Sequence, residues 1–121
     1  MLVCDEKYGV DIFLGIGGGP EGVLAASALD SFNCHFQGRF LFKEEKDIVR
    51  AKKMGVKDLN KKYNLNEIVS GDSIFCATGV TKGDLVEGIK INNNNYTSET
   101  LVTHKSCNFK KIVKKVNTLT T

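Results

Sequence analysis

The sequence GIGGGPEG at residues 15–22 is a glycine-rich loop that joins an apolar run to the start of a helix. The preceding run, from Val10 to Ile16, is short and apolar, which predicts a buried strand. Pro20 suits a first helical turn because its missing N–H would be unpaired there anyway, so a helix is predicted to about Phe32. Leu24, Ala28 and Phe32 repeat at four-residue spacing and should form its packed face.

The remainder of the chain predicts one further strand and helix, then a short helix, then mainly strands. The predicted strands are 35–42, 73–78, 85–91, 96–104 and 109–116, and the predicted helices are 44–54 and 64–69. Turns at the asparagine run 92–95 and around residues 106–108 join the last three strands. The sequence therefore predicts an α/β (α+β layered) fold with a mixed sheet followed by antiparallel strands, in a single domain of residues 1–121.

Composition excludes several classes of protein. The chain has 121 residues, 41% hydrophobic and 26% charged, as in an ordinary folded domain. Its net charge of +3 comes with scattered lysine pairs rather than a basic stripe, so no nucleic-acid partner is predicted. This sequence shows no charged start followed by an apolar run of signal-peptide length, and no stretch approaching the roughly 20 apolar residues of a membrane span. We therefore expect no membrane association and a cytoplasmic location.

The cysteines and histidines give no catalytic or zinc-binding pattern. Cys4, Cys34, Cys76 and Cys107 are far apart in sequence, with no C-x-x-C pair, and are expected to be buried free thiols. Neither His35 nor His104 has a cysteine or an acid at the spacing of a catalytic dyad, so both are expected to be structural. A Ser/His/Asp set assembled in space would escape this test.

The start of the predicted helix is the one place that suggests chemistry. Backbone N–H groups of Gly17 to Gly19 and the positive end of the helix dipole favour a phosphate there. A carboxylate at Glu21, beside a phosphate, indicates a divalent cation such as magnesium or manganese between them. The alternative is a tight strand-to-helix turn in which Glu21 only favours the helix start, by about 0.3–1 kcal/mol. The residues alone leave both interpretations open.

The same stretch also satisfies the dinucleotide-binding pattern G-x-G-x-x-G, and Glu44 lies near the position of a ribose-binding acid. Two observations oppose a dinucleotide-binding module. Glu21 would place a negative charge where a pyrophosphate must bind, and the later strands depart from the alternation that a doubly wound fold requires.

Five blocks of the sequence, taken in order, resemble the class II, GlpX-type fructose-1,6-bisphosphatases. The blocks are GIGGGPEGVLAA at 15–26, QGR at 37–39, RAKKMG at 50–55, GD at 71–72 with ATGVT at 77–81, and GDL at 83–85. The resemblance extends from about Asp11 to about Gly88 and, more loosely, over the strands that follow.

This resemblance implies a fold similar to the lithium-sensitive, metal-dependent sugar phosphatases. It implies hydrolysis of the 1-phosphate of fructose 1,6-bisphosphate to fructose 6-phosphate in gluconeogenesis, with manganese or magnesium, and some members also accept sedoheptulose 1,7-bisphosphate. Glu21 matches the family's metal-binding glutamate, and Gly18 matches a glycine that contacts the substrate. Arg39 and Thr78 lie in matching blocks without an assigned contact, and no residue is assigned as catalytic.

The resemblance also implies that much of the site lies elsewhere. In this family most metal-binding carboxylates and much of the sugar site precede the glycine motif. The chain is therefore expected to be the carboxyl-terminal portion of a bisphosphatase, inactive by itself, and part of a homo-oligomer when complete. The apolar surface that meets the amino-terminal part should be exposed. The alternative is a non-catalytic remnant or phosphate-binding module.

Overall fold

The structure is a computed structural model that describes residues 2–119, so Met1, Thr120 and Thr121 of the predicted domain lie outside the described part. Two 3-10 helices, Leu2–Cys4 and Glu6–Tyr8, open it. The α-helices are α1 (Gly19–Asp30), α2 (Glu45–Lys53) and α3 (Leu65–Ile68). The strands are β1 (Gln37–Arg39), β2 (Lys62–Asn64), β3 (Ile74–Thr78), β4 (Lys90–Asn92), β5 (Asn95–His104) and β6 (Phe109–Thr118).

The larger sheet is built around β5, which pairs along its whole length with β6. The opposite edge of β5 pairs with β4 near its start and with β3 near its end. β1 and β2 form a separate two-stranded sheet. Every described strand pair is antiparallel. The predicted combination of helices and sheets is confirmed, and the likeness to lithium-sensitive phosphatases stays a prediction.

Helix α1 lies against β3 and α3 through small side chains. Ala26 and Ala28 are buried, and Leu101 of β5 is the buried aliphatic side chain of the sheet. Leu24 is exposed, however, so the predicted packed face is wrong at this position. The amino-terminal half of α1 therefore stands clear of the described sheet.

Polar contacts fix the other end of α1 to the sheet. The Asp30 carboxylate, only 5% exposed, accepts from Lys105 Nζ at 2.6 Å and from the hydroxyl of Ser73 at 3.0 Å. The hydroxyls of Ser31 and Thr103 are 2.6 Å apart. A buried carboxylate is tolerated only when it is paired and hydrogen-bonded, and Asp30 meets both conditions.

The predicted strand from Val10 to Ile16 is wrong: residues 9–18 have no regular secondary structure. Ile12 is 76% exposed, Phe13 79%, Leu14 89% and Ile16 81%. A strand requires a partner for its backbone N–H and C=O groups, and no strand among residues 2–119 pairs with this run.

Two other predicted strands are much shorter in the structure, and one strand was missed. Of residues 35–42, only β1 pairs; beyond it, Phe40 stacks on Phe42 and meets Tyr63 edge to face. Of residues 85–91, only the end joins β4. β2 was not predicted because three residues are too few to show the alternation that identifies a strand.

The short helix and the turns that were predicted from local sequence motifs are confirmed. The predicted short helix begins after Asn64, whose backbone N–H donates to Glu67 Oε2 at 3.0 Å, as in a capping box. The asparagine turns lie where predicted, with left-handed Asn93 (φ 52°) and Asn108 (φ 47°). Asparagine is among the few residues that tolerate this conformation.

The cysteines are free thiols, as predicted, but the expected burial is wrong. Cys76 and Cys107 are exposed, and Cys4 and Cys34 are half-buried. Partial burial, together with the neighbouring thiol of Cys34, raises the pKa of Cys4 to about 12, so this thiol is protonated at neutral pH.

A tight loop between β3 and β4 explains why the predicted strand at 85–91 does not form. A Cβ on Gly79 would overlap the carbonyl oxygen of Glu87, and one on Gly88 would lie 2.6 Å from the backbone of Thr81. The two glycines let the ends of the loop touch. Tyr8 then donates its hydroxyl to the carbonyl oxygen of Asp84 at 2.6 Å, which attaches the start of the described chain to this loop.

Asp72 holds the turn between β5 and β6. One carboxylate oxygen accepts from the Ser106 backbone N–H at 3.0 Å. The other accepts from the Ser106 hydroxyl at 2.7 Å and lies 2.6 Å from Nε2 of His104. The hydrogen bonds from Ser106 and His104 lower the pKa of Asp72 from 3.8 to about 2.

Gly88→Ala should lower the free energy of unfolding by about 1–3 kcal/mol, because the added methyl group forces the backbone of the loop apart. Gly83→Ala is the matched control in the same loop, since the nearest atom to its added Cβ is 4.0 Å away. Urea denaturation of both variants measures the difference. Equal stabilities would contradict the close approach at Gly88.

Asp72 should make the stability of the chain acid-dependent. Its pKa is lower in the folded state, so its contribution is complete above the unfolded value of 3.8 and is lost as pH falls towards about 2. Asp72→Asn should therefore lose less stability than the unmodified chain when urea midpoints at neutral pH and near pH 2 are compared. Ser106→Ala, which removes one donor, should behave intermediately. Parallel pH profiles for all three proteins would exclude this role for Asp72.

Candidate functional site

The glycine loop ends in a helix start of the predicted kind. Gly18 is the N-cap, with extended backbone angles (φ −69°, ψ 161°), and Pro20 lies in the first turn. The first helical hydrogen bond runs from the N–H of Gly22 to the carbonyl oxygen of Gly18 at 3.0 Å. The N–H groups that precede it have no partner within the helix, and this makes the loop a potential donor site for an anion.

The two predicted site residues lie in contact. The carboxylate of Glu21 folds back over Gly18 so closely that a Cβ on Gly18 would overlap Oε2. A side chain at position 18 would therefore displace the Glu21 carboxylate, which is the flexible end of an exposed side chain. At Gly19, by contrast, an added Cβ would meet no atom within 4 Å. The structure thus assigns different requirements to two adjacent glycines.

The donor set at this place fits a metal ion only in part. Glu21 is exposed and offers one carboxylate, whereas magnesium or manganese takes several oxygen ligands. No group of three or more His, Cys, Asp or Glu side chains that could hold a metal ion occurs within residues 2–119. Glu21 can therefore serve as one ligand of a cation whose other ligands come from elsewhere.

The other residues of the matching blocks have ordinary structural positions. Thr78 ends β3, and its hydroxyl lies 2.8 Å from that of Thr100 on the paired strand. Arg39 is exposed on β1, opposite Lys62. The structure does not bring either residue into the pair formed by Gly18 and Glu21.

The cluster of Asp72, His104 and Ser106 was not predicted from sequence, because Asp72 is 32 residues from His104 and 34 from Ser106. It contains the residue types of a serine hydrolase, but the geometry is different. Nε2 of His104 faces both Asp72, at 2.6 Å, and the Ser106 hydroxyl, at 3.2 Å. A catalytic triad requires the acid and the serine on opposite ring nitrogens. The predicted structural role of His104 fits this geometry, and the Gly71-Asp72 block was the only sequence signal for the cluster.

No helix within the described residues is long and apolar enough to cross a membrane.

Comparison with known proteins identifies relatives of this chain. The model of the family described as bacterial fructose-1,6-bisphosphatase, glpX-encoded, matches residues 1–118. Fructose-1,6-bisphosphatase 1 class 2 of Escherichia coli (strain K12) is 36% identical over 116 residues, which cover 84% of this chain and 34% of the relative. The D-fructose 1,6-bisphosphatase class 2/sedoheptulose 1,7-bisphosphatase of Trichodesmium erythraeum (strain IMS101) is 34% identical over 106 residues, 77% of this chain and 31% of the relative.

The corresponding protein of Synechococcus sp. (strain JA-3-3Ab) is 36% identical over 109 residues, 78% of this chain and 31% of the relative. The chain thus spans about a third of the length of the curated relatives it matches. The family match extends over nearly the whole chain, and the resemblance predicted from five sequence blocks is confirmed. The chain belongs to the family of bacterial, glpX-encoded fructose-1,6-bisphosphatases.

Proposed function

We propose that this chain supplies the carboxyl-terminal part of a metal-dependent phosphatase that hydrolyses the 1-phosphate of fructose 1,6-bisphosphate to fructose 6-phosphate. Family membership supports the reaction class, that of a phosphoric monoester hydrolase. The observation that carries the proposal to particular residues is the contact between the Glu21 carboxylate and Gly18 at the start of α1.

In this proposal Gly18 and Glu21 have adjacent roles. Gly18 lets a phosphate group of the substrate approach the loop, and Glu21 provides one oxygen ligand to manganese or magnesium. The bound cation would neutralise the phosphate and activate the attacking water. The two residues touch, so a phosphate and a cation held by them would be neighbours.

We propose that the remaining ligands come from the region that precedes this one in the longer relatives. One exposed carboxylate cannot complete the coordination of one cation, let alone the two that phosphate ester hydrolysis often uses. The isolated chain should therefore be inactive. The competing proposal, a non-catalytic remnant or phosphate-binding module, would keep the loop without restoring turnover.

The dinucleotide-binding alternative has less support. Such a module requires parallel strands on both sides of its first helix, whereas all strand pairs within residues 2–119 are antiparallel. The loop before α1 also follows no strand in this part of the chain.

The proposal also covers the substrates and the wider setting of the enzyme. Two of them are named as acting on both fructose 1,6-bisphosphate and sedoheptulose 1,7-bisphosphate, so both sugars are proposed substrates. A role in gluconeogenesis and glycerol metabolism, a cytoplasmic location and a homo-oligomeric complete enzyme remain part of the proposal.

The first test measures phosphate release from fructose 1,6-bisphosphate with and without manganese. The isolated chain should release none, and adding the amino-terminal region of a class 2 relative should produce manganese-dependent release. Glu21→Gln should abolish it. Glu45→Gln is the matched control, because Glu45 is also an exposed acid in the first turn of a helix. Turnover by the isolated chain would refute the proposed incompleteness, and full activity of the Glu21 variant would refute its role as a ligand.

A second test compares the two adjacent glycines. Gly18→Ala should displace the Glu21 carboxylate and raise the manganese concentration needed for half-maximal activity by about 10-fold or more, the effect typical of disturbing groups that orient metal ligands. Gly19→Ala should change it less than about 2-fold, since its methyl group meets no atom. Thermal denaturation checks that both variants remain folded. Equal effects of the two substitutions would contradict the proposed importance of the contact.

A further inference from the structure

The most exposed apolar part of the molecule is residues 10–16, called here the apolar segment. In an extended chain, Val10, Ile12, Leu14 and Ile16 would share one face, because alternate side chains of a strand point the same way. The other face would carry Asp11, Phe13 and Gly15. One entirely apolar face and one mixed face are typical of a strand that covers a hydrophobic core.

The apolar surface continues onto α1. Val23 is 49% exposed and Leu24 59%, although Ala26 and Ala28 further along the same helix are buried. Only the glycine loop separates the apolar segment from this part of α1. A strand and the helix that follows it commonly pack against the same sheet. The exposed side chains of the apolar segment and of α1 therefore form one continuous apolar surface rather than separate patches.

The total accessible surface supports this interpretation. It is 9424 Å², whereas a folded monomer of the chain's mass of 13.3 kDa should expose only about 6,500 Å². The excess is larger than the roughly 1,200–2,000 Å² that a standard protein interface buries. The chain thus has enough unburied surface for an extensive partner.

The longer relatives indicate what that partner is. The matched stretch is 34% of the Escherichia coli relative, so about two-thirds of that protein has no counterpart in this chain. We propose that the apolar segment forms a strand by pairing with a sheet edge in the amino-terminal region of a class 2 fructose-1,6-bisphosphatase, and that the exposed start of α1 is covered in the same interface. The partner therefore contributes strand hydrogen bonds as well as an apolar surface, as in other strand-addition complexes.

This inference rests on the proposed function and extends it to the assembly of the site. The apolar segment leads directly into the loop at 17–18, so pairing of the segment fixes the chain that precedes Gly18. The same event then brings the partner's carboxylates towards Glu21. Docking of the strand and completion of the metal site are a single step.

The experiment co-expresses this chain with the tagged amino-terminal region of the Escherichia coli relative, up to the start of the matched stretch. The two should co-purify in equal amounts, and amides of residues 10–16 should become protected from hydrogen exchange in the complex. The double variant Ile12→Asp/Leu14→Asp should weaken binding by about 100-fold or more, because each substitution places a charge in an apolar interface. Met54→Asp is the control, since Met54 is 75% exposed and lies at the end of α2, outside the apolar segment, and it should bind within about 2-fold of the unmodified chain.

Several results would overturn the docking proposal. These are absence of a complex, a complex that tolerates the double variant, or protection of residues 10–16 in the chain alone through self-association. Because both substituted side chains are exposed, the variant should keep the exchange protection of β5 and β6, and this second measurement distinguishes lost docking from lost folding. A complex that depends on the apolar segment but releases no phosphate would sustain the docking and refute the proposed function. Manganese-dependent phosphate release that persists in the double variant would support the proposed function and refute the docking.

Discussion

The burial of the Asp30 carboxylate against the sheet is the constraint on which the position of the candidate site depends. Ser73 immediately precedes β3 and Lys105 immediately follows β5, so the two lie side by side at one end of these antiparallel strands, and both donate to this one side chain. Removing a charge from water is costly, so the arrangement is stable only while both donors are in place. The end of α1 is consequently held against the part of the sheet where β3, β5 and β6 lie side by side.

This attachment determines where Glu21 can lie. A helix rises 1.5 Å per residue, so Glu21 is held about 14 Å along the axis from Asp30. Small side chains at Ala26 and Ala28 keep the intervening turns close to the described sheet, while the first turn extends past it. The chain therefore fixes the backbone of Glu21 relative to the sheet, but the described residues provide no group of three or more His, Cys, Asp or Glu side chains that could hold a metal ion.

The sequence predicted those features whose signals are local. Pro20 and the glycines before it predict the start of α1. Asparagines that tolerate a left-handed backbone predict the hairpin turns. The proximity of Gly18 and Glu21 could be predicted from sequence because residues three positions apart at the start of a helix lie close together. The Asp72 cluster could not, since contacts across 34 residues depend on the register between strands, which no short motif encodes. The tight loop between β3 and β4 was not predicted either. The apolar run at 85–91 resembles a strand in sequence, and nothing local shows that the two ends of the loop lie in contact.

The failed prediction at residues 10–16 has a different physical basis. Alternating apolar side chains indicate what a segment can become, but a strand exists only when neighbouring backbone groups complete its hydrogen bonds. Within residues 2–119 no strand pairs with the apolar segment. β5 and β6, whose apolar pattern is no stronger, pair with each other along ten residues. The pattern and the missing partner together are more informative than either alone. They support the proposal that the sequence of the apolar segment specifies an interface.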